Sequence, residues 1–326
     1  MIFKLNWEKA GTQNVLPRGI IPKMIAAIYP NKKIKSYHVI LGGCANINIK
    51  FQLENNKKSQ ILRIYLRDKG SVYREQKIGD LLKREVPVPQ INHIGNIDGY
   101  CFAIADLMPG KSLGDLLLKD KSFNICKMMC KVGILLSKIA QYKFAKAGFF
   151  DQNLHVVTPI TREGYINFGN ECLQDTCITS QLTTATLSKI NYHLEKHGYL
   201  FPDKNENNLV HADFDPANIL VNKVDDNWEV SGVLDWEFSF SGSILHDVAN
   251  MLRYAHQMLP CFQDGFLKGL RSGGVILPEK WCASVYMLNL LSLLDCLKRS
   301  DLKNQPNRCA DICELIDYIL LKLTKF

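Results

Sequence analysis

The side chains best able to do chemistry lie in His211-Ala212-Asp213-Phe214-Asp215-Pro216-Ala217-Asn218, in the apolar residues 219–221 that follow, and in Val233-Leu234-Asp235-Trp236-Glu237. Residues 218–222 and 228–235 flank the turn-rich 223–227, the pattern of a β-hairpin. In an antiparallel hairpin the start of the first strand lies beside the end of the second. Asn218 and Asp235 are therefore expected together at one end of the ladder, with Asp213 on the loop entering that end. Two carboxylates and a carboxamide then converge. Hard oxygen ligands of this kind suit Mg²⁺, which takes one or two protein carboxylates together with phosphate oxygens and water. A further carboxylate can accept a proton from an attacking hydroxyl while phosphate charge is neutralised. Asp, Asn and Pro are also ordinary turn formers. The apolar hairpin and the second acid at its far end favour a site.

The elements that must position these groups fall into two halves. After a helical lead-in at 22–28, strands are expected at 36–41, 47–53 and 60–67, separated by Gly42-Gly43 and the polar run 54–59. A helix follows at 71–84, with Glu75, Ile78 and Leu82 on one face, then strands near 90–94 and 100–107. Pro109-Gly110 closes this half. Beyond it helices are expected at 124–147, 182–197, 244–258, 278–299 and 307–323, interrupted by the hairpin alone. The division is residues 1–110 and 111–326.

Composition narrows the class. The 326 residues are 47% hydrophobic and 22% charged, which excludes a disordered or fibrous chain. No secretory signal is read at residues 1–7, and the longest apolar stretch, 286–297, is interrupted by Asn289, Ser292 and Asp295 and is too short to span a bilayer. A soluble protein is expected. Eleven cysteines without a Cys-x-x-Cys pair argue against a disulfide framework or zinc site and for free thiols in a reducing cytoplasm. The net charge of +8 divides unevenly: residues 1–110 carry 17 Lys+Arg against 8 Asp+Glu, and 111–326 carry 23 against 24. Within 206–237, eight acids accompany Lys223 as the one base. A basic half facing phosphate and an acidic segment facing metal and acceptor are expected, and no nucleic-acid motif is present.

The pattern His211-x-Asp213-x-x-x-x-Asn218 with Asp235-Trp236-Glu237 resembles the signature of the aminoglycoside phosphotransferase and choline kinase-like family, relatives of the protein kinases. The resemblance implies an α+β, bilobal protein kinase-like fold, with an antiparallel-sheet N-lobe holding one main helix and a mostly helical C-lobe. It implies that Asp213 positions or deprotonates the acceptor hydroxyl and that Asn218 and Asp235 hold Mg²⁺. Leu41-Gly42-Gly43-Cys44-Ala45-Asn46 resembles the family's Gly-Gly-x-x-Asn phosphate loop, where glycine lets the backbone approach phosphate closely. Ile104 to Gly110 resembles the interlobe connector, with the backbone of Ala105, Asp106 and Leu107 reading the base of ATP or GTP. Asp247 resembles an acid that braces the loop from a helix start.

Other residues are read from their neighbours. Arg63 alternates with Leu62 and Ile64, and Glu75 occupies an apolar helix face where an unpaired carboxylate is costly. An Arg63–Glu75 pair, bracing Arg63 against the α/β-phosphates, accounts for both. His211 is expected to point inward and bond to backbone, and Trp236 to pack. Glu237 either braces the loop or contacts metal or acceptor. The leading expectation is a kinase that transfers the γ-phosphoryl group of ATP or GTP to a hydroxyl. An aminoglycoside-type acceptor is favoured, with carboxylates such as Asp264, Glu279, Asp295, Asp301, Asp311, Glu314 and Asp317 meeting ammonium groups; a choline, homoserine or sugar kinase is the alternative. A catalytically silent kinase-like binding protein and a nucleic-acid binder are the competing classes. Neither nucleic acid nor membrane is an expected partner.

Overall fold

A short helix, α1 (Ile20–Ile28), leads into strands β1 (Ile34–Ile40), β2 (Asn46–Leu53) and β3 (Gln60–Tyr65); helix α2 (Ser71–Leu82) then precedes β4 (Ile91–Ile97) and β5 (Tyr100–Asp106). This computed structural model describes residues 4, 6–8, 16–40, 46–120 and 123–326. The five strands form one antiparallel sheet in the order β1-β2-β3-β5-β4. Alternation sends Leu62, Ile64, Phe102 and Ile104 to one face, where they pack with Met24 and Ile25 of α1. Tyr65, Cys101 and Ala103 take the other face, against Val72 of α2. Arg63 shares this second face, so the strand period alone carries it to the side where α2 supplies Glu75.

Past Gly110 come β6 (Lys111–Ser112), α3 (Leu113–Lys119), α4 (Ile125–Ile139), β7 (Gly148–Phe150), β8 (Val156–Pro159), α5 (Arg162–Gln174), α6 (Thr176–Thr179) and α7 (Thr184–His197). β9 (Asn208–Val210), the hairpin β10 (Ile219–Val224) and β11 (Asn227–Val233), β12 (Phe240–Gly242), α8 (Leu245–Leu252), α9 (Pro260–Ser272), α10 (Trp281–Lys298) and α11 (Pro306–Leu323) complete the lobe. β6 pairs with β10, which ties the connector directly to the hairpin. Gly110 is needed at that junction: its φ is +112°, and a Cβ there would stand 2.4 Å from the Val221 carbonyl oxygen.

A single large core unites the helices with Ile78 and Leu82 of α2. Its tightest crossing is α4 on α9, where a Cβ on Gly133 would lie 2.1 Å from the Phe266 carbonyl oxygen and one on Gly269 would lie 2.0 Å from that of Cys130. No helix among the described residues is long and apolar enough to cross a membrane. Ten cysteines among the described residues are free.

The structure departs from the sequence expectation in four places. The helix expected over 124–147 stops at Ile139, because Asn208 Nδ2 and the Leu209 N–H bond to the Ala140 and Tyr142 carbonyls at 2.6 and 2.7 Å, turning the chain towards β7. The helix expected over 244–258 stops at Leu252 and is followed by the 3₁₀ turn Ala255–Gln257. A second small sheet, β8-β7-β12-β9, and helices α3, α5, α6 and α9 had no counterpart in the expectation. Finally, Trp7 and Glu8 contact the helical lobe. Trp7 Nε1 donates to Asp311 Oδ2 at 2.7 Å, and the Glu8 carboxylate accepts from the N–H groups of Asn307 and Arg308 at 2.8 and 3.2 Å, capping the start of α11. Lys4, Trp7 and Glu8 thus form a strap to the helical lobe.

Candidate active site

The hairpin brings its two ends together. Ile219 faces Val233, and the Leu234 N–H donates to the Asn218 carbonyl at 2.9 Å. Asn218 and Asp235 therefore flank one end of the ladder, as the spacing predicts. Asp213 joins them, since Asn218 Nδ2 donates to its carbonyl oxygen at 2.9 Å and to its Oδ2 at 2.7 Å. With both donors spent on Asp213, the Asn218 carboxamide can offer a third party only its oxygen. The three groups form an all-oxygen donor set, which fits Mg²⁺. Asn218 and Asp235 line a cavity of about 370 Å³ that also reaches Arg63, Glu75, Ala105 and Leu107.

The loop entering this end is held from below. Ala212 has φ +71°, a left-handed conformation that costs a residue with a Cβ. Buried Asp247, in the first turn of α8, offsets that cost by accepting from the His211 N–H at 2.8 Å and the Ala212 N–H at 2.9 Å. Burial pushes the Asp247 carboxyl up to about 7 against those two donors. Asn250 Nδ2 donates to the Ala212 carbonyl at 2.7 Å. Arg253 continues the chain of contacts, bonding to Asn250 Oδ1 at 2.6 Å, Asn289 Oδ1 at 3.0 Å and Ser292 Oγ at 2.8 Å.

His211 points inward. Its Nε2 donates to the Leu234 carbonyl at 2.8 Å and its Nδ1 accepts from the Asp213 N–H at 3.2 Å, which fixes a neutral ring. Burial lowers its pKa to about 4. Trp236 packs against that ring with centroids 4.5 Å apart. His246 is likewise buried, with its pKa lowered to about 4 by burial, and its Nε2 meets the Tyr165 hydroxyl at 2.8 Å. A buried neutral ring stabilises the fold fully above the unfolded pKa of about 6.5 and less as pH falls towards 4. The stability difference between wild type and His246→Gln, read from urea midpoints, should therefore move in favour of the variant by about 2 kcal/mol between pH 7 and pH 4.5. A difference independent of pH would mean that the ring is not held neutral.

Arg63 sits among three carboxylates. It contacts Glu75 at 3.3 Å and Glu237 at 3.5 Å and pairs with Asp235. Burial opposes its charge, but Glu75 and Asp235 overcome this and keep it firmly protonated. Its buried Nε has no hydrogen-bond partner among the described residues. Glu75 also accepts from the Tyr65 hydroxyl at 2.5 Å. The expected Arg63–Glu75 pair is present; the link to Asp235 was not foreseen.

Asn46 does not line the cavity. Paired with Tyr65 in the sheet, it is buried and donates to Glu237 Oε2 at 2.7 Å, while its Oδ1 accepts from the Leu66 N–H at 3.3 Å. Glu237 is correspondingly 7% exposed and held by Asn46 and Arg63, so bracing matches its surroundings and an acceptor contact does not. Burial, with Asp235 adding to it, pushes Glu237 up to about 7. On the connector, the Asp106 N–H donates to the Gln90 carbonyl at 3.0 Å, Ala105 pairs with Ile61 and Ile91 in the sheet, and Ala105, Asp106 and Leu107 all line the cavity. Gly42 and Gly43 lie outside the described residues.

One participant was invisible in the sequence. Lys4 reaches across to pair with Asp215, whose side chain is 5% exposed. Burial pushes Asp215 upward, but Lys4 outweighs it and holds the carboxyl below its usual range. Burial and the neighbouring Asp215 raise Asp213, and Lys4 pulls against that rise. No local pattern marks a contact across 211 residues.

A sheet-rich lobe and a helical lobe, joined by a strand that runs into the hairpin, define a bilobal protein kinase-like fold. The model of the phosphotransferase enzyme family APH matches residues 37–274, and the chain belongs to that family. It is an enzyme that transfers phosphate to a hydroxyl acceptor. Among solved structures it is similar to aminoglycoside phosphotransferase APH(4)-Ia in ternary complex with ADP and hygromycin B, at TM-score 0.71 and 18% identity over 91% of this chain and 97% of that one. It is also similar to APH(2")-IIa in its gentamicin complex, at 0.63 and 14% over 94% and 97%. Spectinomycin phosphotransferase APH(9)-Ia, in complex with ADP and spectinomycin, aligns at 0.59 and 12% over 96% and 100%. No curated protein matches the chain.

Proposed function

We propose that this protein transfers the γ-phosphoryl group of ATP or GTP to a hydroxyl of a small molecule, with Mg²⁺. The observation that carries this reading is the meeting of Asp213, Asn218 and Asp235 at one end of the hairpin, where Asn218 and Asp235 line a cavity together with Arg63, whose buried Nε has no hydrogen-bond partner among the described residues. Asp213 positions or deprotonates the acceptor hydroxyl. Asn218 and Asp235 would hold Mg²⁺, which when bound neutralises charge on the transferring phosphates. Arg63, braced by Glu75, donates to phosphate, and the backbone of Ala105, Asp106 and Leu107 borders the base. His211, Asp247 and Glu237 keep the loop and the Asp235 turn in shape. The nucleotide belongs to the sheet lobe that ends at 110, with 104–110 as connector, and the acceptor to the helical lobe. Free thiols support a reducing compartment such as the cytoplasm.

The acceptor divides into two readings. An aminoglycoside-type acceptor is supported by the compounds bound to solved relatives and by the carboxylates Asp213 and Asp215. An uncharged sugar or polyol is supported by the Lys4 ammonium beside those carboxylates. The test is ADP release with Mg²⁺ and ATP or GTP in the presence of kanamycin, choline, homoserine or glucose. At least one acceptor should raise release about tenfold over the acceptor-free rate, on the scale that positioning of a bound nucleophile provides. Tight Mg-nucleotide binding without stimulation by any hydroxyl compound would favour the silent binding protein instead.

A further inference from the structure

We propose that Lys4 is a specificity-determining residue: its ammonium takes the place beside Asp215 that the ammonium of a cationic acceptor would occupy, so the wild-type enzyme selects an uncharged hydroxyl compound. This rests on the kinase reading above and deepens it.

Lys4 is delivered by a built anchor. Trp7 is held through Asp311, which also accepts from the Tyr254 hydroxyl. The Trp7 ring lies 4.9 Å from the Arg308 guanidinium and 5.2 Å from Lys4 Nζ. Glu8 caps α11 one residue further on. These contacts fix the strap on both sides of α11's first turn and set Lys4 onto a buried carboxylate, where an unpaired charge would be costly. The same loop turn carries Asp215 and Asp213: the Asp215 N–H donates to the Asp213 carbonyl at 2.9 Å, and the Asn218 N–H to the Asp215 carbonyl at 3.1 Å.

The charges on this side are already matched. Asp213 and Asp215 face Lys4 and, behind them, Arg253, whose charge reaches both Lys4 and Asp215. Of the carboxylates expected to greet an acceptor's ammonium groups, Asp295 pairs with Arg299, Asp311 accepts from Trp7 and Tyr254, and Asp317 accepts from Thr186. A polycation entering beside Asp215 meets the like charge of Lys4, and like charges at close range discriminate strongly between partners.

The experiment measures equilibrium binding of kanamycin, the cationic probe, and of maltotriose, a neutral probe, to Mg-ATP-loaded wild type, Lys4→Met and Lys4→Arg. Lys4→Met should bind kanamycin about tenfold or more tightly than wild type, the maltotriose affinity should not gain in parallel, and Lys4→Arg should behave as wild type. If Lys4→Met proves unfolded by circular dichroism, Trp7→Ala, which releases the anchor and leaves Lys4 in the chain, should give the same gain. Kanamycin binding unchanged in a folded variant overturns the proposal, as does an equal gain for both probes, which would indicate mere opening of the site. Failure of wild type to bind Mg-ATP is a separate result, and it counts against the kinase reading.

Discussion

Replacing Asp213 with Asn should lower kcat by about three orders of magnitude, within the range that a positioned acid–base group supplies, while Mg-ATP affinity stays within about threefold. The substitution keeps size and shape. The loop itself is set by Asp247 and Asn250 acting on the backbone of residues 211 and 212, so its conformation does not depend on the Asp213 charge. What is lost is the ability to accept a proton or to orient an acceptor O–H as an anion. Single-turnover transfer to the best acceptor of the panel measures the effect apart from product release. A variant within tenfold of wild type would remove Asp213 from the chemistry and leave it a loop residue.

Asp235→Asn should weaken Mg-dependent nucleotide binding by about a hundredfold or more, since a neutral amide is a far poorer partner for a hard dication than a carboxylate. The fold should survive. Asp235 has φ +70° and ψ +60°, a conformation Asn adopts more readily than most residues. Arg63 retains Glu75 and Glu237 at 3.3 and 3.5 Å, so its charge stays partnered. Calorimetric titration of Mg-ATP, with the thermal midpoint recorded in parallel, separates the two effects. Unchanged affinity in the folded variant counts against Asp235 as a metal ligand.

How much of this was legible in the sequence depends on the range of the interactions involved. The hairpin was readable because the apolar run 219–221 and the segment 228–235 flank the turn-rich 223–227, and antiparallel pairing then dictates which ends meet. The Arg63–Glu75 pair was readable for a similar reason: strand and helix periods each put a charge on a face that must be buried. α9 was not, because Gly265 and Gly269 look like helix breakers locally and serve instead to admit the α4 backbone. β7, β9 and β12 are three residues each, too short for a period to register. The Asn46–Glu237 bond was not readable from the motif, because it depends on the register that sets Asn46 opposite Tyr65. The Lys4 strap is a purely tertiary contact.

The polar residues of α10 carry a consequence of their own. In the sequence, Asn289 and Ser292 read as flaws in an apolar run; in the folded lobe they grip Arg253, which grips Asn250, which grips the Ala212 carbonyl. The reactive loop is thereby wired into the deepest helix of the lobe. Its left-handed turn cannot relax unless that wiring opens, and opening it would strand several buried polar groups at once. Loop and helix therefore belong to one cooperative unfolding unit, and the order of the site is inherited from the stability of the whole lobe.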